Sequence, residues 1–322
     1  MAASGSTSLL ATSPKREKES YVVKPNIVRG SQVRAIGVGF QTRFQGALAS
    51  SKSIWQQIAT EVPSETSEED YGFLLDLPDV REWVGDRRIN EFAAAGYTIK
   101  NKDWELTFGV DRNAILDDKI SLYGKKIDMF ADSTGRSYDK LIFQLLVAGF
   151  TTACYDTQYF FDTDHPVLDA NGVETQFANT DGGASYPWFL AVTGMPLLPV
   201  ILQKRQDWQF TAMDKSDDER VFMDKKFRYG VDARHNVGYS LPQLCWGSKQ
   251  TLDVAHFNTA RQSLLNMPKD GGGKIAPSEF TLFVGPSNLA AAESIIEAQN
   301  LANGASNTNY KKANLVTVPY LG

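Results

Sequence analysis

Phe161-Asp162-Thr163-Asp164-His165 is where two carboxylates and an imidazole crowd together in the chain. Such groups ligate a divalent cation, or act as a general acid/base pair, when they converge within a few ångström. The chemistry they would support is that of a metal-dependent hydrolase centred on Asp162, Asp164 and His165. The spacing works against convergence. On an extended strand Asp162 and Asp164 share one face and His165 points to the other. The plainer reading is a polar turn braced by Pro166 and anchored by Tyr159, Phe160 and Phe161.

No other stretch offers a better set. His235 and His256 stand alone, and three histidines in all leave too few imidazoles for a His-based centre. Gly37-Val38-Gly39-Phe40 lacks the third glycine of a dinucleotide fingerprint. Gly271-Gly272-Gly273-Lys274 lacks the Ser or Thr that follows the lysine of a P-loop. There is no GxSxG elbow. Trp83, Trp104, Trp188, Trp208 and Trp246 have no basic stripe beside them, so they read as core or interface anchors rather than base-stacking platforms. No catalytic, cofactor or metal site is assigned on this reading, and none is needed by it.

Composition narrows the class. Apolar residues make up 42% and charged residues 22% of 322, the balance of a globular protein long enough for two ordinary domains or one large irregular one. A net charge of −5 does not fit a chain that wraps nucleic acid. No apolar run is long enough to span a membrane. Cys154 and Cys245 form no CxxC pair and read as reduced core residues.

The elements that would position these residues are led by a long helix, a spine, over 118–149. Ile120, Tyr123, Ile127, Phe130, Tyr138, Leu141, Leu145 and Ala148 fall on one helical face. Asp117 and Asp118 supply the negative charge a helix start favours, and Gly149 is placed as a stop. Unbroken, the helix would run roughly 45–50 Å at 1.5 Å per residue. The pattern weakens at Ser133-Thr134-Gly135, where a kink or break is expected.

Before the spine, residues 1–30 carry Ala, Ser, Thr and a mixed charge run, and read as a flexible arm. A helix is expected over 40–62, from Phe40, Phe44, Leu48, Trp55 and Ile58, ended by Pro63. Residues 80–111 alternate from Tyr97 onward and are expected to form an extended two-stranded ribbon with no obvious local partner, either pairing with another chain or folding as a hairpin onto its own domain. After the spine, 168–187 reads as an exposed loop and 188–247 as a meander of strands. An α/β pattern follows: a helix over 252–267, a buried strand at 280–284, a capped helix through Ala298 and a strand at 315–318.

Several blocks together resemble one family. Arg81-Glu82-Trp83-Val84-Gly85-Asp86-Arg87-Arg88, Gly96-Tyr97-Thr98-Ile99-Lys100-Asn101-Lys102, Asp117-Asp118, the run from Cys154 to Pro166, and Val221-Phe222-Met223-Asp224 are similar, in order and spacing, to the Mu-like phage major head subunit (gpT). The likeness runs from about Phe40 to the C-terminus. It implies an α+β chain of the Hong Kong 97-type phage capsid fold. The slots would be an N-terminal arm (1–78), the extended loop (80–111), a peripheral domain (112–250) holding the spine and the meander, and an axial α/β domain (251–322).

The implied role is self-assembly, as hexamers and pentamers, into an icosahedral shell enclosing phage DNA. A shell of the same fold around cellular cargo is a further reading. Arg87, Arg88, Lys100, Lys102 and Trp104 on the ribbon are the expected inter-subunit contacts. Expected partners are scaffold and portal proteins and, non-specifically at the inner wall, double-stranded DNA, but no membrane. Assembly is expected in the host bacterial cytoplasm, and the finished protein in the virion.

Overall fold

In the computed structural model, residues 30–72, 96–113, 120–215, 219–301 and 303–321 are described. The expected flexible arm, the capping pair Asp117 and Asp118, and Arg87 and Arg88 therefore lie outside the described residues, bar Gly30.

Helix α1 (Gly30–Ala49) buries Val33, Phe40 and Phe44 on one face. The helix expected over 40–62 is corrected here: it starts earlier and ends at Ala49. Ser50, Ser51 and Ser53 follow it, residues whose hydroxyls compete for backbone groups and disfavour helix. Trp55–Gln57 is a single 3-10 turn, and β1 (Ala59–Pro63) is a strand. Trp55 and Ile58 are both buried, so their helical spacing was a coincidence of two anchors. Pro63 is tolerated because β1 is an edge strand.

The spine is two helices, α2 (Ile120–Gly135) and α3 (Ser137–Ala148), interrupted only at Arg136. Two hydroxyls bond back to the preceding turn there: Thr134 Oγ1 to the Phe130 carbonyl at 2.8 Å and Ser137 Oγ to that of Thr134 at 2.6 Å. Such back-bonding bends helices. Gly149 ends α3 with φ −61°, in the right-handed region. Its value is its size: a Cβ there would meet the Phe161 ring at 3.0 Å. Asp139, in the first turn of α3, is buried and accepts from the amides of Ile54 at 3.0 Å and Trp55 at 2.8 Å. Burial pushes its carboxyl up, and these bonds offset that only in part.

Two sheets flank the spine. The four-stranded one runs β1-β9-β10-β4, built on the hairpin of β9 (Val200–Met213) and β10 (Lys226–Tyr239), which the short helix α4 (Glu219–Asp224) joins. Its outer strand β4 (Lys102–Asp111) lies antiparallel to β10, from Lys102 opposite His235 to Asp111 opposite Lys226. Residues 80–95 of the expected ribbon lie outside the described residues; the strand at 102–111 packs onto its own chain, as the second of the two readings has it. Local reading could not see it, because the partner lies beyond the spine. A shorter pair, β2 (Glu68–Asp70) with β3 (Thr98–Lys100), precedes it.

The five-stranded sheet runs β13-β12-β8-β11-β7, from β7 (Thr180–Gly183), β8 (Trp188–Thr193), β11 (Cys245–Lys249), β12 (Glu279–Val284) and β13 (Asn314–Thr317). The expected meander is thereby divided: 188–193 and 245–249 join this sheet, while β9 and β10 belong to the other. The sheet also crosses the expected boundary at 250, so 251–322 is not a separate core. Residues 168–187 are likewise more than loop, since β5 (His165–Leu168) pairs with β6 (Glu174–Phe177) and β7 follows.

This sheet is buried on both faces. Trp188, Leu190 and Val192 pack on one side with Phe257, Ala260 and Leu264 of α5 (Val254–Asn266). Phe189, Ala191 and Phe283 pack on the other with Ile142, Phe143 and Leu146 of the spine. A strand covered twice reads as a continuous apolar run, which is what Trp188–Val192 is. After β12, the chain turns through Pro286–Asn288 into α6 (Leu289–Ala292) and a π turn over Glu293–Glu297. Asn288 makes no side-chain cap; its Nδ2 donates to the Tyr186 carbonyl at 3.1 Å.

Candidate functional site

The residues with chemical potential do not assemble as their spacing first proposes. Asp162 spends its carboxylate on the neighbouring Thr163 amide at 2.7 Å, and its own amide donates to Asn179 Oδ1 at 2.9 Å. Asp164 is half-buried in the same turn. His165 opens β5, fully buried, its ring stacked on Phe177 with centroids 5.0 Å apart. Its partner is Asp156, with Nδ1 2.6 Å from Oδ2, and Cys154 Sγ donates to the other carboxylate oxygen at 3.0 Å. The expected Asp162–Asp164–His165 centre is thus replaced by Cys154, Asp156 and His165. The one signal for it in the sequence was a Cys-x-Asp spacing ahead of the histidine.

Electrostatics make this cluster poor at catalysis. Burial pushes the Cys154 thiol up, and the Asp156 charge beside it pushes further, so the thiolate nucleophile is suppressed. For Asp156, burial favours the neutral acid, but hydrogen bonds from His165 and Cys154 outweigh it and hold the carboxyl below its usual range. The other thiol, Cys245, is fully buried and also pushed up by burial alone. The groove between α1 and α2 is closed to chemistry in a different way. Arg43 reaches Asp128 in a two-point pair at 2.7 and 2.6 Å, and Arg136 binds Asp132 at 2.8 Å, so its charges are already matched.

The surface side of the molecule is richer. Lys100 is exposed and sits 3.5 Å from Glu68. Lys102 is exposed at the start of β4. Trp104, expected as an inter-subunit contact, is half-buried against its own chain: it stacks on His235 at 5.5 Å and donates Nε1–H to the His235 carbonyl at 3.0 Å. Beyond it β4 is mostly exposed, and its outer edge pairs with no strand among the described residues. Large apolar side chains also stand exposed around this end: Val38 on α1, Met129 on α2, Met213 on β9 and Met223 on α4. Among the described residues no helix is long and apolar enough to cross a membrane.

The molecule is thus a spine with a sheet on either side and a sheet edge unpaired among the described residues. The chain aligns over 91% of its length with all of the subunit in the procapsid of bacteriophage JBD30, at TM-score 0.82 and 38% identity. With the subunit of the JBD30 capsid it aligns over 92%, again covering all of that chain, at TM-score 0.71 and 29% identity. The fold is therefore the α+β Hong Kong 97-type phage capsid fold, and the molecule is a structural protein, not an enzyme. The family model described as Mu-like prophage major head subunit gpT matches residues 33–321. The Mu-like prophage FluMu major head subunit of Haemophilus influenzae is 35% identical over 88% of this chain and 95% of that protein. The major capsid protein of Escherichia phage Mu is 33% identical over 92% of this chain and 100% of that one. The chain belongs to the Mu-like gpT family and is the major capsid protein of a phage head, a component of the virion.

Proposed function

We propose that the subunit closes into hexamers and pentamers through the four-stranded sheet and its surroundings, leaving the five-stranded sheet as a preformed core. The observation that carries this is β4: ten residues of strand with one edge unmatched among the described residues. An unpaired edge is a template for another chain. Lys100 and Lys102 flank it, and with Arg87 and Arg88 they supply cations for acids of the adjacent subunit. Head-to-tail contacts of this kind close into rings. In this reading the long hairpin with the first half of the spine is the peripheral part. The five-stranded sheet is the axial part, continued across residue 250.

The higher likeness to the JBD30 procapsid than to its capsid supports a second element: this conformation is that of the precursor shell. Scaffold and portal proteins are the assembly partners, in the host bacterial cytoplasm. The JBD30 capsid decorated with minor capsid protein trimers, a further likeness at TM-score 0.70, supports a decorating partner on the outer surface. Packaged double-stranded DNA meets the inner wall non-specifically, and the net charge of −5 keeps that contact weak. Negative-stain electron microscopy of the chain expressed with its scaffold tests the assembly: closed particles are expected. Discrete small oligomers of fixed size, with scaffold present, would overturn it.

A further inference from the structure

The capsid role makes no use of the buried cluster at the end of the spine. Cys154, Asp156 and His165 place a thiol, a carboxylate and an imidazole with ligand atoms all within 4.8 Å of one another. Cys154 is 7% exposed, His165 not at all, and the Asp156 side chain 8%. We propose that these three residues bind a divalent cation of the zinc class, which ties the end of the spine to the β5–β6 hairpin.

The donor set decides the class. Sulfur and nitrogen with one oxygen suit zinc, and are too soft for magnesium or calcium, which take oxygen ligands. Zinc bonds of 2.0–2.3 Å in tetrahedral geometry put neighbouring donors about 3.4–3.6 Å apart. The present distances of 3.0 Å (sulfur to oxygen) and 2.6 Å (nitrogen to oxygen) open to that by about 0.5 and about 0.8 Å. The sulfur–nitrogen pair, within 4.8 Å, closes by about 1.2 Å at most. A water completes the fourth position.

Charge favours the same occupant. With a neutral imidazole and a neutral thiol beside it, the buried carboxylate is one uncompensated negative charge. A dication with the carboxylate and a thiolate sums to zero, and the thiol proton leaves for solvent on binding. His165 is free to adapt: its Nε2 is buried and has no hydrogen-bond partner among the described residues, so that nitrogen can carry the ring proton when Nδ1 takes the metal. Neither Asp162 nor Asp164 takes part, so this is not the centre that the linear spacing outlined.

Cobalt(II) chloride titrated into the purified full chain tests the site, because a thiolate on cobalt gives a charge-transfer band in the near ultraviolet. The expected result is a band that saturates at one equivalent and is abolished by adding zinc chloride. Cys154→Ala should remove it, while Cys245→Ser and Asp162→Asn should retain it. Absence of a saturable band in the unaltered protein overturns the proposal, whatever the variants do. So does a band that survives Cys154→Ala or disappears with Cys245→Ser.

Discussion

The two sheets of this subunit are built from different strands, mostly apolar in the five-stranded sheet and rich in charge in the four-stranded one. The five-stranded sheet is sandwiched: α5 and the π turn after α6 cover one face and α3 the other, and its central residues Leu190, Ala191, Leu282 and Phe283 are fully buried. The four-stranded sheet is covered by α1 and α2 through Val110, Phe227, Tyr229 and Val231, yet among the described residues β4 leaves an edge open and β9 becomes mostly exposed past Gln203. The difference teaches where a shell protein can afford rigidity. One sheet has both faces covered within the subunit, and the other, on the proposed assembly, leaves an edge to be completed by a neighbour.

The contrast is broken most severely at the sandwiched sheet. Phe283 is in ring contact with Phe143 of the spine at 5.6 Å. Phe283→Ala should cost about 3–5 kcal/mol, read as a fall in the urea midpoint of the unassembled subunit. A loss under about 1 kcal/mol would show that this sheet is not the folding core.

Next in size is the junction where the four-stranded sheet meets the spine. His235 is fully buried among Trp104, Tyr138 and Trp208, with Lys204 and Asp207 facing it from β9. Burial, and then the Lys204 charge, lower its pKa to about 4, with Asp207 opposing. An unfolded histidine titrates near pH 6.5. Above that both states are neutral and the contribution is intact. Between pH 6.5 and 4 the unfolded chain takes up a proton that the folded one refuses, so stability falls as pH falls, by about 3 kcal/mol in all. His235→Gln should flatten that part of the pH–stability curve; an unchanged slope contradicts the assignment.

Gly247, in β11, sits against the Phe161 ring, where a Cβ would lie 2.6 Å from the nearest ring carbon. Gly247→Ala should cost about 1–3 kcal/mol by overpacking. Thermal unfolding measures it, and a neutral result would mean that Phe161 swings aside at no cost. The smallest effect on the subunit is expected at the open sheet. Lys100→Glu with Lys102→Glu should shift subunit stability by about 0.5 kcal/mol or less, as exposed positions do, while lowering particle yield. Arg87→Glu with Arg88→Glu should do the same. Full particle yield from a stable subunit would remove these cations from the assembly surface.

Much of this was legible in the chain. Periodicity located the spine and its weak point, because Thr134 and Ser137 are poor interior residues that bond to their own helix. The run Phe280–Val284 announced a doubly covered strand, and Asp253 capping the His256 amide at 2.9 Å fits the helix expected at 252–267. The rest depended on distant partners. The strand at 102–111 looked homeless because β10 lies after the spine. His165 was grouped with the acids beside it in sequence, whereas its hydrogen-bond partner is nine residues earlier, returned by a turn. In both cases adjacency in sequence misled because the fold satisfied the polar groups from elsewhere.

Hydrogen exchange on the unassembled subunit and on closed particles, compared peptide by peptide, tests the central contrast most directly. Those amides of 102–111 that do not bond β10 should exchange readily in the subunit and gain protection in the particle, whereas 188–192 and 280–284 should be protected in both. Equal protection of 102–111 in the two states, or protection of 188–192 acquired only on assembly, would contradict the account.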